Sequence, residues 1–153
     1  MSATPNISPC LWFDGQAREA AEFYVSVFPN SRVLSVSELQ AGPAEGNALV
    51  EFEIGTQRFI ALDGGPMFKF TPAVSFSIAC DSQDEIDYFW DRLSENGKPG
   101  PCGWIEDKFG LSWQVVPAML PSLMESAPAA VMEALLAMEK IDIEQLRKAS
   151  EAR

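Results

Sequence analysis

Asp107-Lys108-Phe109-Gly110-Leu111-Ser112-Trp113-Gln114-Val115-Val116 reads as a charged turn closed by glycine, then a short apolar strand. Gly110 lacks a Cβ and can take φ > 0, so the chain can reverse there. Trp113, Val115 and Val116 are strand formers. Alternation sends Ser112, Gln114 and Val116 to one face and Leu111, Trp113 and Val115 to the other. An amide in the middle of such a strand is costly unless it has partners or lines a cavity. The same stretch marks Glu106 and Asp107 as solvated turn residues.

Working outward from this strand, the chain repeats itself. Upstream, Ala73–Cys80 reads as a strand and Gln83–Glu95 as an amphipathic helix, with Ile86, Phe89, Trp90 and Leu93 as its buried stripe. Ser82 and Glu85 have capping-box spacing, and Asn96-Gly97 closes the helix. Short strands follow around Lys98–Cys102 and Trp104–Glu106. Earlier, Ile7–Phe13 reads as a strand turned by Asp14-Gly15, and Gln16–Phe28 as a helix with Ala17, Ala20, Ala21, Tyr24 and Phe28 on one face. In Val33–Glu38, Val33, Ser35 and Ser37 alternate against Leu34, Val36 and Glu38. Leu49–Ile54 and Arg58–Asp63 flank a tight Gly55-Thr56 hairpin, and Gly64-Gly65-Pro66 ends the unit. The halves superpose at a shift of 65 residues, which sets Tyr24 on Phe89 and Phe28 on Leu93. The expected fold is α+β: two βαβββ modules forming a sheet-lined cleft, with helices on the outer faces. Module one spans about 7–66 and module two about 73–117, in a single domain over 1–153. From 118 the chain reads as a helical extension: Met119–Met124, Ala129–Met138 and Ile143–Ala149, with Pro128 in a first turn and Asp142 as a cap. Val131, Leu135 and Met138 make an apolar stripe, suited to the domain's own sheet or to a dimer interface.

Composition excludes several function classes. Lys and Arg number 11 against 22 Asp and Glu, a formal net charge of −11. So acidic a chain lacks the basic footprint of a nucleic-acid binder and is repelled by anionic membranes. No apolar run approaches the roughly 20 residues of a membrane span. Met1–Pro9 has no signal-peptide pattern, and three cysteines, Cys10, Cys80 and Cys102, make no disulfide framework, so a cytoplasmic protein is expected. Histidine is absent. That removes Ser-His-Asp and Cys-His catalysis and every imidazole-bearing metal site.

Glu22-Phe23-Tyr24, Ala61-Leu62-Asp63-Gly64-Gly65-Pro66 and Cys102-Gly103-Trp104 through Pro117 resemble the PhnB-like branch of the vicinal oxygen chelate superfamily. That superfamily includes glyoxalase I, extradiol dioxygenases, and bleomycin and fosfomycin resistance proteins. The branch is often labelled a 3-demethylubiquinone-9 3-methyltransferase domain, yet no glycine-rich loop opens a helix after a strand here, as a nucleotide-type methyl donor site would suggest. The resemblance spans roughly Ser8–Leu146 and implies the glyoxalase/bleomycin resistance fold and often a homodimer. Metal-dependent members hold a divalent ion through His and Glu side chains. Those positions fall here on Pro9, on Val74 or Ala73, near Ala61 with Asp63 two residues on, and on Gln114. No metal and no cofactor are therefore expected.

The candidate ligand contacts are Gln114, Asp63, Leu11, Phe76 and Trp104. Gln114 offers one amide donor group and one acceptor. Asp63 suits a general base or a turn cap. Glu51 and Glu53 share a strand face that meets solvent or a cation. Cys102 reads as a thiol with no histidine to activate it. Trp12, Trp104, Trp113, Phe76 and Tyr24 read mainly as core, with one or two walling a pocket. The expected function is binding of a small molecule of unidentified structure. The alternatives are a glyoxalase-type lyase, isomerase or dioxygenase using a divalent metal, and a non-catalytic structural dimer.

Overall fold

The computed structural model describes residues 4–152. The first residues of the Met1–Pro9 reading, and the last of the helical extension, lie outside the described residues. The chain forms two compact units that divide between Lys69 and Phe70.

The first unit runs β1 (Cys10–Phe13), α1 (Ala17–Val27), β2 (Ser31–Glu38), β3 (Ala48–Ile54) and β4 (Gln57–Asp63), with strand order β1-β4-β3-β2. β1 pairs parallel to β4, and the other pairs are antiparallel. The three small residues Ala17, Ala20 and Ala21, all fully buried, let α1 lie close to the sheet. Tyr24 then stacks on Phe52, and Phe52 on Phe59, with centroid separations of 6.1 and 5.2 Å. Gly55, at φ +57, supplies the positive φ that a two-residue hairpin needs at its first position. β1 is shorter than expected: Ile7 is exposed, and pairing begins beside Pro9, whose carbonyl accepts Ile60 N–H. β2 does not alternate cleanly either. A register irregularity between Val33 and Ser35 leaves Leu34 unpaired, so Val33 and Val36 lie opposite Phe52 and Val50 on one face. One inserted residue reverses the parity of everything after it.

The second unit repeats the plan: β5 (Ser75–Cys80), α2 (Gln83–Ser94), β6 (Lys98–Pro99), a 3-10 turn (Pro101–Gly103), β7 (Trp104–Glu106) and β8 (Ser112–Pro117), ordered β5-β8-β7-β6. Two βαβββ modules are thus present. Their register departs from the expected shift of 65 by one residue in the helices and by two in the first strands. Buried Ala20, Tyr24 and Val27 of α1 fall on buried Ile86, Trp90 and Leu93 of α2, a shift of 66. Phe13 falls on Cys80, because Gly64 N–H and Ala118 N–H bond to their respective carbonyls. Strands and helices differ from each other by one because Asp14-Gly15-Gln16 precedes α1, while only Asp81-Ser82 precedes α2.

After β8 come α3 (Leu120–Ser126), α4 (Pro128–Leu136) and α5 (Ile143–Glu151). Asp142 caps α5 through Gln145 N–H, and Pro128 opens α4. Backbone bonds tie this extension to its own unit. Cys102 and Gly103 N–H donate to the Met138 and Glu139 carbonyls at 2.8 Å. The Gln83 side chain clasps the α4–α5 link, donating to Ile141 O and accepting from Ile143 N–H, both at 2.9 Å. Val131, Ile141 and Leu146 are fully buried.

Candidate functional site

The opening stretch is built around Asp107, which is buried at 3 % exposure and not solvated as its turn position suggested. Oδ1 accepts Phe109 N–H at 2.9 Å and Leu111 N–H at 3.1 Å; Oδ2 accepts Trp113 Nε1–H at 2.8 Å. Gly110, at φ +91, lets the chain wrap that carboxylate. The turn thereby fixes the first residues of β8 and the rotation of its tryptophan.

Directly paired residues share a face of a sheet. Trp113 and Val115 of β8 are buried with Ile105, and Phe76 joins them, its ring centroid 5.6 Å from that of Trp113. The opposite, open face carries Gln114, paired with Ser77 on β5 and with Trp104 on β7. Gln114 is half-buried, and its Nε2 donates to Ser75 Oγ at 3.0 Å. Ser112 and Glu106 are the next pair along this face, with Lys98 across from Glu106 on the edge strand. A hollow of about 230 Å³ lies at this end of the sheet, lined by Pro72, Lys98, Trp104, Glu106 and Ser112 among others.

Of the five candidate contacts, the second unit brings together Gln114 and Trp104. Phe76 is not with them: its odd register relative to Ser77 places it on the helix side. Leu11 and Asp63 belong to the first unit's helix side, paired with Ala61 and Phe13 and nearly inaccessible. Asp63 has a structural task there. Its Oδ1 accepts Ala17 N–H at 2.8 Å, capping α1 from 46 positions away, where Gln16 makes no side-chain cap. A carboxylate at a helix N-terminus is favourable for the dipole as well. Ser75, by contrast, was missed; its only signal was a hydroxyl two residues from Ser77 in an otherwise apolar strand.

Glu53 pairs with Arg32 across β2–β3 at 2.7 Å, and Glu51 accepts from Ser35 at 3.4 Å. Neither is free to act as a cation ligand pair. Among the described residues no three Cys, Asp or Glu side chains gather as a metal-binding group. The positions matched to superfamily ligands fit such an ion poorly. Pro9 has no donor, Val74 lies exposed outside β5, Ala61 is fully buried, and the Gln114 amide is neutral where a carboxylate would stand. Burial, aided by Glu85 and Asp81, pushes the Cys80 thiol up to about 11, which makes it inert at neutral pH. A larger hollow, about 740 Å³, lies instead beside the start of α2 and the α4–α5 link. Several of its polar groups are already engaged: Gln83 with Ile141 and Ile143, Asp87 with Lys140 at 3.0 Å, and Asp142 with Gln145. It is a surface groove between packed caps, and the chemistry of the open sheet face outweighs its size.

A family model described as 3-demethylubiquinone-9 3-methyltransferase matches residues 5–116. Among solved structures, a Bacillus cereus protein described as a putative 3-demethylubiquinone-9 3-methyltransferase, PhnB protein, is 33 % identical, with a TM-score of 0.64 over 74 % of this chain and 98 % of that one. Protein PA1353 from Pseudomonas aeruginosa is 21 % identical, with a TM-score of 0.62 over 74 % and 97 %. The fosfomycin resistance protein FosX from Mesorhizobium loti is 12 % identical, with a TM-score of 0.56 over 81 % and 99 %, a likeness of fold alone. No curated protein matches the chain. The twin βαβββ modules, the Asp107 turn and these matches agree: the chain belongs to the PhnB-like, 3-demethylubiquinone-9 3-methyltransferase family of the vicinal oxygen chelate superfamily, with the glyoxalase/bleomycin resistance fold.

Proposed function

We propose that this protein binds a small organic molecule on the open face of the β5-β8-β7-β6 sheet, without the superfamily's metal, with Gln114 and Trp104 as its contacts. The observation that carries this reading is the Gln114–Ser75 pair: a half-buried amide in mid-strand, hydrogen-bonded yet retaining capacity, beside an aromatic surface. Ligand sites combine apolar walls with a few placed polar groups. The three cysteines are all free, which supports work in a reducing compartment, and no helix among the described residues is long and apolar enough to cross a membrane. A homodimer is part of the same proposal, resting on the superfamily's habit.

The test compares Gln114→Leu with wild type by thermal melting and by ligand-observed NMR against a library of small polar aromatics. The volumes are close, so the variant folds. Hits on the wild type weaken by roughly 1 kcal/mol or more, the worth of a hydrogen bond whose partner is left unpaired. A variant that unfolds, or one that binds every hit unchanged, overturns the reading. A metal-dependent enzyme is the second reading, because a FosX relative from Listeria monocytogenes is described as complexed with Mn(II). About one manganese or zinc per purified chain, lost in Gln114→Leu, replaces the first reading with the second.

A further inference from the structure

We propose that the ligand of this face is a neutral molecule bearing a carboxamide, lactam or ureido group on a flat ring, and that anions are rejected. The proposal rests on the reading of Gln114 and Trp104 as ligand contacts and adds the class of molecule they select.

Hydrogen-bond polarity comes first. Gln114 Nε2 donates to Ser75 Oγ, so the serine oxygen is an acceptor in that bond and its own O–H is directed elsewhere. The pair then presents an acceptor, Gln114 Oε1, and a donor, the Ser75 hydroxyl, on neighbouring strands. A carboxamide carries the matching donor and acceptor. A carboxylate or phosphonate brings acceptors only and sets one of them against Oε1. Charge comes second. Glu106 lies on this face, one strand over and one pair along, and repels an anion. Lys98 lies beyond it, on the edge strand and opposite Glu106 in register. An anion beside Gln114 thus meets Glu106 before Lys98, in a chain whose net charge is −11. Shape comes third. Trp104 is the direct cross-strand partner of Gln114, so a ring joined to the amide reaches the indole. The hollow of about 230 Å³ is lined by Trp104, Glu106 and Ser112 but not by Gln114 or Ser75, so it would take the ring of such a molecule and not its amide.

The test uses benzamide, benzoate and benzamidinium, which share a ring and a shape and differ in charge. Each is titrated at neutral pH and 150 mM salt by ligand-observed NMR and tryptophan fluorescence, against wild type, Gln114→Leu and Gln114→Glu. Benzamide is expected to bind most tightly, by roughly tenfold over either ion, and to weaken roughly threefold to tenfold in Gln114→Leu, as one lost hydrogen bond dictates. Gln114→Glu should shift the preference to benzamidinium. Benzoate or benzamidinium binding as well as benzamide, with sensitivity to Gln114→Leu, overturns the ligand class and leaves the site standing. Binding of no probe, or binding indifferent to both variants, overturns the site reading and this proposal with it.

Discussion

At Asp107, 3 % exposed, both carboxylate oxygens accept N–H donors from the six residues that follow, and the bonds from Leu111 and Trp113 are buried from water. Hydrogen bonds to a charged acceptor are worth more than neutral ones, and an abandoned buried donor costs its full desolvation. Asp107→Asn can keep the two backbone bonds at Oδ1, but it turns an NH₂ toward Trp113 Nε1–H, donor against donor. It should cost about 1–3 kcal/mol. Asp107→Ala strands all three donors and should cost more than Asn does. Urea denaturation checks the order, and the Trp113 emission should change in both variants. Equal stability of all three proteins would mean that the carboxylate is not what fixes β8. The sequence pattern could not reveal this role: alternation locates strands, whereas a side chain folded back onto its own turn leaves no period. Gln114 was readable for the opposite reason, because strand parity alone sets its face.

Among the elements, the Gly64-Gly65 segment after β4 is held by Trp12. The indole Nε1–H donates to Gly65 O at 2.9 Å, and Phe68 meets the ring edge-on at a centroid distance of 5.0 Å. A Cβ on Gly64 would overlap the Trp12 ring, whereas one on Gly65 meets nothing within 4 Å and suffers only from φ +98. Gly64→Ala should therefore cost about 1–3 kcal/mol by overpacking. In a Trp12→Ala background the same change should cost much less, a coupling that a double-mutant cycle by chemical denaturation would read out. Equal costs in both backgrounds would show that the ring is not the obstacle. Helices α1 and α2, the Gly55-Thr56 hairpin and the cap at Asp142 were all legible, since each rests on local spacing or turn chemistry. The bulge at Val33–Ser35 and the one-residue difference between the loops before α1 and α2 were not. An inserted residue leaves composition and periodicity almost unchanged, yet it reverses which side chains face the helix; that Phe76 and Leu11 face their helices depends instead on the pairing of β5 with β8 and of β1 with β4, which local spacing does not reveal.

For the molecule as a whole, charge is the uncompensated quantity: 22 acidic against 11 basic side chains, with no histidine to buffer the difference. Arg18–Glu22, Arg32–Glu53 and Lys140–Asp87 form ion pairs, each with at least one partner more than 40 % exposed. Such pairs contribute little individually. α2 concentrates the excess, carrying Asp84, Glu85, Asp87 and Asp91 against Arg92. The first of these suit the helix N-terminus, but Asp91 lies far from it and four residues from Asp87, a like-charge spacing. Gln83 and then Lys140 hold the Asp87 carboxyl below its usual range, so this pair stabilises above the ordinary carboxylate pKa and is lost as pH falls through the lowered one. The repulsion among the excess acidic groups operates over a Debye length of about 30 Å in 0.01 M salt but only about 8 Å at 0.15 M. Raising NaCl across that range should therefore stabilise the protein, in contrast to one held together by its ion pairs. A relief of about 1 kcal/mol would raise the melting midpoint by about 2–4 °C for a chain of this size. Choline chloride should act as well as NaCl, because screening does not depend on the identity of the cation. A midpoint that stays flat or falls with salt would mean that the surface pairs outweigh the net repulsion, and a rise seen only with one cation would point to specific binding instead.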